Sequence, residues 1–303
     1  MQESDHLLGI EGQTRPRLES LLQQARSFQL APPPRTLAGK RLLLLFYEAS
    51  TRTRTSFEVA ARRLGAETVS VTASASSIEK GESLLDTVYT LRAMAIDGIV
   101  VRHASSGAAR LVAEHVDVPV INAGDGMHEH PTQALLDAFT ILRHRPALAG
   151  LRVAIIGDIL HSRVARSNLR LLTQFGAQVR LCGPRPLLPP EFESYGASVQ
   201  IGYELEPALD GADVVMVLRI QMERMRESFF PSEAEYVARY SVTGERLRVA
   251  RPDALVMHPG PMIRGVEISA DVADSPQSAI REQVENGVLI RMAALDELLG
   301  NRA

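Results

Sequence analysis

Residues 41–65 read RLLLLFYEASTRTRTSFEVAARRLG, and this stretch decides the fold. Arg41–Phe46 is a short run that is apolar on both faces, the mark of a strand buried in a parallel sheet. A polar turn follows it. Residues 53–64 then space their apolar side chains for a helix, and Gly65 supplies the C-terminal stop. Strand, turn and helix in this order open a βαβ unit.

The alternation extends in both directions. Upstream, residues 14–28 have helical spacing and end at the three prolines within 31–35. Downstream, strands are predicted at 68–72, 98–102 and 119–122, with helices at 83–95 and 107–114 between them. A long helix at 131–143 follows, and the pattern restarts. Strands at 152–157, 178–182, 213–218 and 254–257 alternate with helices at 163–175 and 231–239, and a final helical stretch covers 278–299. The expected fold class is α/β: two doubly wound parallel-sheet domains joined by long helices. A chain of 303 residues exceeds what one core usually fills, which agrees with two domains. The expected division is 1–145, with a C-terminal helix 278–303 packing back on it, and 146–277. No period of 20–50 residues repeats, so a solenoid is excluded.

Composition narrows the function classes. The formal charge of -3 gives no global reason to expect nucleic acid or an anionic membrane, so any basic chemistry must be gathered into a site. The longest apolar runs, such as 42–46, are too short to span a bilayer, and the N-terminus lacks a basic region followed by an apolar stretch. The expectation is a soluble, cytoplasmic protein. Its one cysteine, Cys182, rules out an internal disulfide and reads as a buried, inert thiol in a strand.

Three constellations carry chemistry. Ser50-Thr51-Arg52-Thr53-Arg54 places hydroxyls, guanidiniums and unpaired N–H groups at a helix N-terminus after a strand, which suits a phosphate. GxxxxGK is absent, so nucleotide hydrolysis has no support. Residues 124–133 read GDGMHEHPTQ. Their HEH alternates its side chains and does not match HExxH, so the favoured reading is no metal, with His130 a neutral hydrogen-bond donor at a helix N-terminus. Gly157-Asp158 before a helix raises a dinucleotide site, but GxGxxG is missing. Arg163, and Arg219 with Gln221, stand at strand ends of the second domain, where two arginines suit a dicarboxylate.

STRTRTSFE, KGESLLDT, GDGMHEHPTQALLD, GDILHSRVARSN, LRIQMERM and MHPGPMIRGVEI occur in order over nearly the whole chain. Together they resemble the catalytic chains of the aspartate carbamoyltransferase family. HPTQ and HPGP separate this pattern from ornithine enzymes, which carry HPCQ and HCLP. The resemblance implies carbamoyl phosphate and L-aspartate as substrates, an early step of pyrimidine biosynthesis, and no cofactor. It implies that Ser50, Arg52 and Thr53 hold the phosphate, that Arg102 and His130 polarise the carbonyl, and that Gln133 binds the carbamoyl amino group. Gly260 and Pro261 complete that set. Arg163, Arg219 and Gln221 would read aspartate. Ser76 and Lys80 would enter the site of a neighbouring subunit, which implies a homotrimer with shared sites. Glu48 would bridge to Arg163 and Arg224 and steady a closed form. Related trimers occur alone, with regulatory chains or with a dihydroorotase-like chain, and composition does not choose among these.

Two positions depart from the common pattern. Ile263 replaces an asparagine and so removes an amide, and Met222 stands where a basic residue is frequent. Both are expected to tune affinity. The readings left open are transfer to another amine, such as ornithine or an N-acylated ornithine, and a catalytically dead scaffold.

Overall fold

The computed structural model describes residues 5–31, 33–72, 83–220 and 232–300. These form two compact units, one drawn from 1–136 and 284–303 and the other from 137–283.

The first unit opens with α1 (Arg15–Leu30), capped by the Thr14 hydroxyl, which accepts from the Arg17 N–H. Then come β1 (Arg41–Phe46), α2 (Thr51–Arg63), β2 (Glu67–Thr72), α3 (Leu84–Arg92), β3 (Gly98–His103), α4 (Ala108–Glu114) and β4 (Val120–Asp125). The four strands make a parallel sheet ordered β2-β1-β3-β4. β1 lies in its interior, which explains why Leu42 to Leu45 are all buried. Each such leucine contributes about 1.5–3 kcal/mol of transfer free energy. On α2, Thr53, Ser56, Phe57, Ala60 and Ala61 form the buried face. The free edge of β4 is covered by the N-terminal segment: Leu7 N–H donates to Val120 O at 2.9 Å, and Asn122 N–H donates to Leu7 O at 2.9 Å. 

α5 (Pro131–His144) begins in the first unit and continues into the second. There follow β5 (Arg152–Ile156), α6 (Arg163–Gln174), β6 (Gln178–Cys182), β7 (Val199–Gly202), α7 (Leu205–Leu209), β8 (Val214–Val217), α8 (Glu233–Tyr240), α9 (Gly244–Leu247), β9 (Leu255–Met257) and α10 (Ala270–Ala273). The second sheet is also parallel, ordered β7-β6-β5-β8-β9. α11 (Ile280–Leu299) starts in this unit and ends in the first, where Glu297 pairs with Arg17 at 3.0 Å and Arg291 donates to the Ser56 hydroxyl at 3.0 Å.

The fold class is the one expected, two parallel-sheet α/β domains. β7 and the short helices α7, α9 and α10 were not anticipated. Among the described residues, no helix is long and apolar enough to cross a membrane.

Candidate functional site

In an open α/β sheet, ligands bind beyond the carboxyl ends of strands where the strand order reverses. The first sheet runs from β1 outward to β2, then returns to the other side with β3, so its switch point lies between β1 and β3. The turn that suits a phosphate follows β1, and Arg102 is the penultimate residue of β3, paired in register with Phe46. The second sheet reverses between β5 and β8. Arg163 opens the helix after β5, and Arg219 follows β8. Each unit thus carries part of its expected ligand set at its own switch point: the β1–α2 turn and Arg102 in the first, Arg163 and Arg219 in the second.

At the first switch point, Ser50 is the N-cap of α2, yet its hydroxyl makes no capping bond. By contrast, the hydroxyls of Thr14, Ser83, Ser162 and Ser232 each accept from a backbone N–H of their helix. The first turn of α2 contains no acidic residue, so the positive end of its dipole is not neutralised from within the helix. Thr53 is buried on the inner face, Arg52 is exposed, and Arg54 is held by Glu58 at 3.8 Å. Arg102 is oriented from two sides. Its Nε lies 3.3 Å from Glu48 Oε2, and Nη1 donates to Ala123 O at 3.0 Å. The β3–β4 register shifts here, with Val101 opposite Asn122 but His103 opposite Asp125, so β4 spends one extra residue across from Arg102.

His130 and Gln133 are buried at the N-terminal end of α5, with Pro131 at its first position. The side chains of the preceding HEH sequence go different ways. His128 Nδ1 meets Asp125 at 3.1 Å, while Glu129 turns its carboxylate to the backbone N–H groups of Ile10 and Glu11 at 3.0 and 3.1 Å. Gly126 has φ +48°, and a Cβ there would collide with Ser106, so the loops after β3 and β4 touch at a point only glycine permits. His103 packs against the Tyr47 ring at 4.9 Å and accepts the Ser105 N–H at Nδ1, and burial lowers its pKa despite Ser105, Asp125 and Glu48.

At the second switch point, Gly157 has φ +128°, and a Cβ there would stand 3.1 Å from Leu218 O and 3.3 Å from the Tyr236 hydroxyl. Close approach of the β8 end accounts for this glycine without a dinucleotide. Asp158, fully buried, accepts the His161 N–H at 3.1 Å and shapes the turn that delivers Ser162 as N-cap and Arg163 as first residue of α6. Arg163 is 5% exposed, so this cation is placed by the fold rather than by solvent.

After β9, His258 and Glu267 are both buried. His258 Nδ1 accepts the Gly260 N–H at 2.8 Å, which leaves Nε2 to donate to Glu267 Oε1 at 3.3 Å. Glu267 Oε1 also accepts the Ile263 N–H at 2.5 Å. Residue 263 therefore serves the loop through its backbone, and its side chain is 37% exposed. Burial, then the charges of Glu267 and Asp158, push the Tyr236 phenol well above its ordinary pKa. Asp125, Asp158, Glu267 and Tyr236 carry no role in the sequence reading; an acid at or just past the carboxyl end of a strand is the one signal that marks the first two.

The site residues fall into two groups. Glu48, Ser50, Arg52, Thr53, Arg102, His130 and Gln133 lie in the first unit, and Arg163, Arg219, Gly260 and Pro261 in the second. Ser76, Lys80, Gln221, Met222 and Arg224 lie outside the described residues.

Comparison with known proteins matches both units. Residues 5–143 match the family model described as aspartate/ornithine carbamoyltransferase, carbamoyl-P binding domain. Residues 149–298 match the corresponding Asp/Orn binding domain. The aspartate carbamoyltransferase catalytic subunit of Sorangium cellulosum is 58% identical, covering 96% of this chain and 91% of that protein. The one from Koribacter versatilis is 55% identical, covering 97% and 96%. Among solved structures, the catalytic subunit of M. Jannaschii aspartate transcarbamoylase superposes with a TM-score of 0.83 at 37% identity, covering 97% of each chain. The ornithine carbamoyltransferase from Pyrococcus furiosus superposes with a TM-score of 0.88 at 28% identity, covering 98% of each.

Proposed function

This chain belongs to the aspartate/ornithine carbamoyltransferase family, and from that premise we propose that it transfers the carbamoyl group of carbamoyl phosphate to the amine of L-aspartate. Fold does not select the acceptor, because aspartate and ornithine enzymes superpose on it equally well. Sequence supports aspartate: the relatives at 55% and 58% identity are named for it, whereas the ornithine enzyme stands at 28%. Two arginines at the second switch point suit a dicarboxylate and oppose an ornithinium.

The observation that carries the reading is the uncommitted cap of α2 at the first switch point. Ser50, Arg52, Thr53 and the first N–H groups of α2 hold the phosphate. Arg102 and His130 polarise the carbonyl, Gln133 takes the carbamoyl amino group, and Gly260 and Pro261 complete the set. Arg163, Arg219, Gln221 and Lys80 read aspartate. The amine lone pair attacks the carbamoyl carbon, the carbonyl oxygen gains negative charge, and the C–O bond to phosphate breaks. The departing phosphate takes the amine proton. No covalent enzyme intermediate forms and no cofactor is needed, because phosphate already makes the carbamoyl carbon electrophilic. Each donor aimed at the developing oxyanion is worth on the order of a hundredfold.

The same reading divides the chain into a carbamoyl-phosphate domain, 1–145 with 278–303, and an aspartate domain, 146–277. It keeps Glu48 and Arg224 for closure. It makes the enzyme a cytoplasmic homotrimer, Ser76 and Lys80 serving a neighbouring subunit, acting early in pyrimidine biosynthesis. The deciding experiment supplies carbamoyl phosphate with aspartate, ornithine or N-acetylornithine in turn and identifies the product. Aspartate alone should be carbamoylated. Turnover of ornithine without aspartate overturns the acceptor; no turnover, with no rise in Tm on adding carbamoyl phosphate, indicates a dead homologue.

A further inference from the structure

Asp125 ends β4 with 1% exposure and has four donors around its carboxylate. Oδ2 accepts the Gly107 N–H at 2.6 Å and faces His128 Nδ1 at 3.1 Å. Oδ1 accepts from Asn122 Nδ2 at 2.7 Å and from the Glu129 N–H at 3.1 Å. Gly107 lies in the loop that leaves β3 after Arg102, and Glu129 immediately precedes His130. One carboxylate therefore joins the two loops that carry these residues. Lesser ties run beside it: Gly126 N–H to His103 O at 2.9 Å, and Met127 N–H to the Ser106 hydroxyl at 3.3 Å.

We infer that Asp125 is a positioning residue, fixing Arg102 and His130 relative to each other so that both aim at the same carbonyl oxygen. This rests on the roles proposed for those two residues. An ionised carboxylate is acceptor-only, which matches a surround made of donors. Burial pushes the Asp125 carboxyl up, but the bonds from His128, Asn122 and Gly107 outweigh it and hold the group below its ordinary value. An asparagine in its place would turn an NH2 group toward N–H donors and release at least one loop.

The test compares wild-type protein with Asp125→Asn and His128→Ala, measuring kcat, Tm and the affinity for inorganic phosphate by calorimetry. Phosphate is assigned to the β1–α2 turn, so its affinity should stay within about twofold while kcat of Asp125→Asn falls roughly 30-fold or more. His128→Ala removes one donor, on a side chain 38% exposed, and should lower kcat by roughly three- to tenfold. A kcat for Asp125→Asn within twofold of wild type overturns the inference, as does a phosphate affinity that falls in step with kcat. Should Asp125→Asn not fold, an unchanged kcat in His128→Ala overturns it instead. Wild-type protein without carbamoyl transfer removes the premise, an outcome distinct from active wild type with unaffected variants.

Discussion

Replacing Arg102 with lysine keeps a positive charge at the end of β3 and removes the guanidinium's shape. In the native arrangement Nε lies 3.3 Å from Glu48 and Nη1 donates to Ala123 O at 3.0 Å, so the fork is aimed from both sides. An ammonium is a single point of charge and cannot hold both supports while also reaching a substrate oxygen. Losing the Ala123 bond costs about 0.5–1.5 kcal/mol of stability. The larger effect falls on the transition state. A lost oxyanion donor typically costs about 2.7–4 kcal/mol, and lysine recovers part of it as untargeted charge. The expected loss is about 2–3 kcal/mol, or roughly 30- to 160-fold in kcat. KM for aspartate should move little, because the second unit's arginines are untouched. Carbamoyl-aspartate formation under saturating substrates, with Tm measured alongside, reads both quantities. A kcat within threefold of wild type would mean that charge alone suffices at this position and that the two-sided aiming of Arg102 has no catalytic value.

Cys182 should resist alkylation. Burial, with Glu206 and Glu204 adding to it, pushes the thiol pKa up to about 12, so its thiolate fraction at pH 8 is roughly a thousandfold below that of an ordinary cysteine. Iodoacetamide should label it at pH 8 only after denaturation, and native labelling at a free-thiol rate would contradict this. Gly157→Ala should destabilise the second unit by about 2–4 kcal/mol, combining left-handed strain with crowding against Leu218 and Tyr236. That corresponds to a Tm lower by roughly 5–15 °C, and an unchanged Tm would show that the β5 and β8 ends can separate freely.

Legibility in the sequence follows from how local each structural cause is. The strands β1, β3, β5 and β8 were readable because a parallel strand buried on both faces must be apolar throughout, a pattern contained in a few consecutive residues. β7 was not, because Val199–Gly202 is a four-residue edge strand with one buried side chain, held by pairing with β6 rather than by its own pattern. α7, α9 and α10 span one turn or so each, too short to nucleate without tertiary contacts. The phosphate-like turn was readable for the same reason as β1: hydroxyls, arginines and a helix start are adjacent in the chain.

What aims the chemistry is a different matter, because its partners are distant or lie in the backbone. Asp125 takes its shortest hydrogen bond from a residue 18 positions away, and Glu267 takes one from His258, nine positions away. Position 263 shows the difference most directly. Loss of the side-chain amide at Ile263 is expected to tune affinity, yet the bond that ties this position into its loop is the backbone N–H donated to Glu267, which any residue except proline supplies. A departure from a family's motif is thus informative only when the side chain itself makes the contact. By that criterion Ile263 leaves the loop after β9 intact, and a substitution at Glu267, whose carboxylate itself makes the contacts, is the change that would release it.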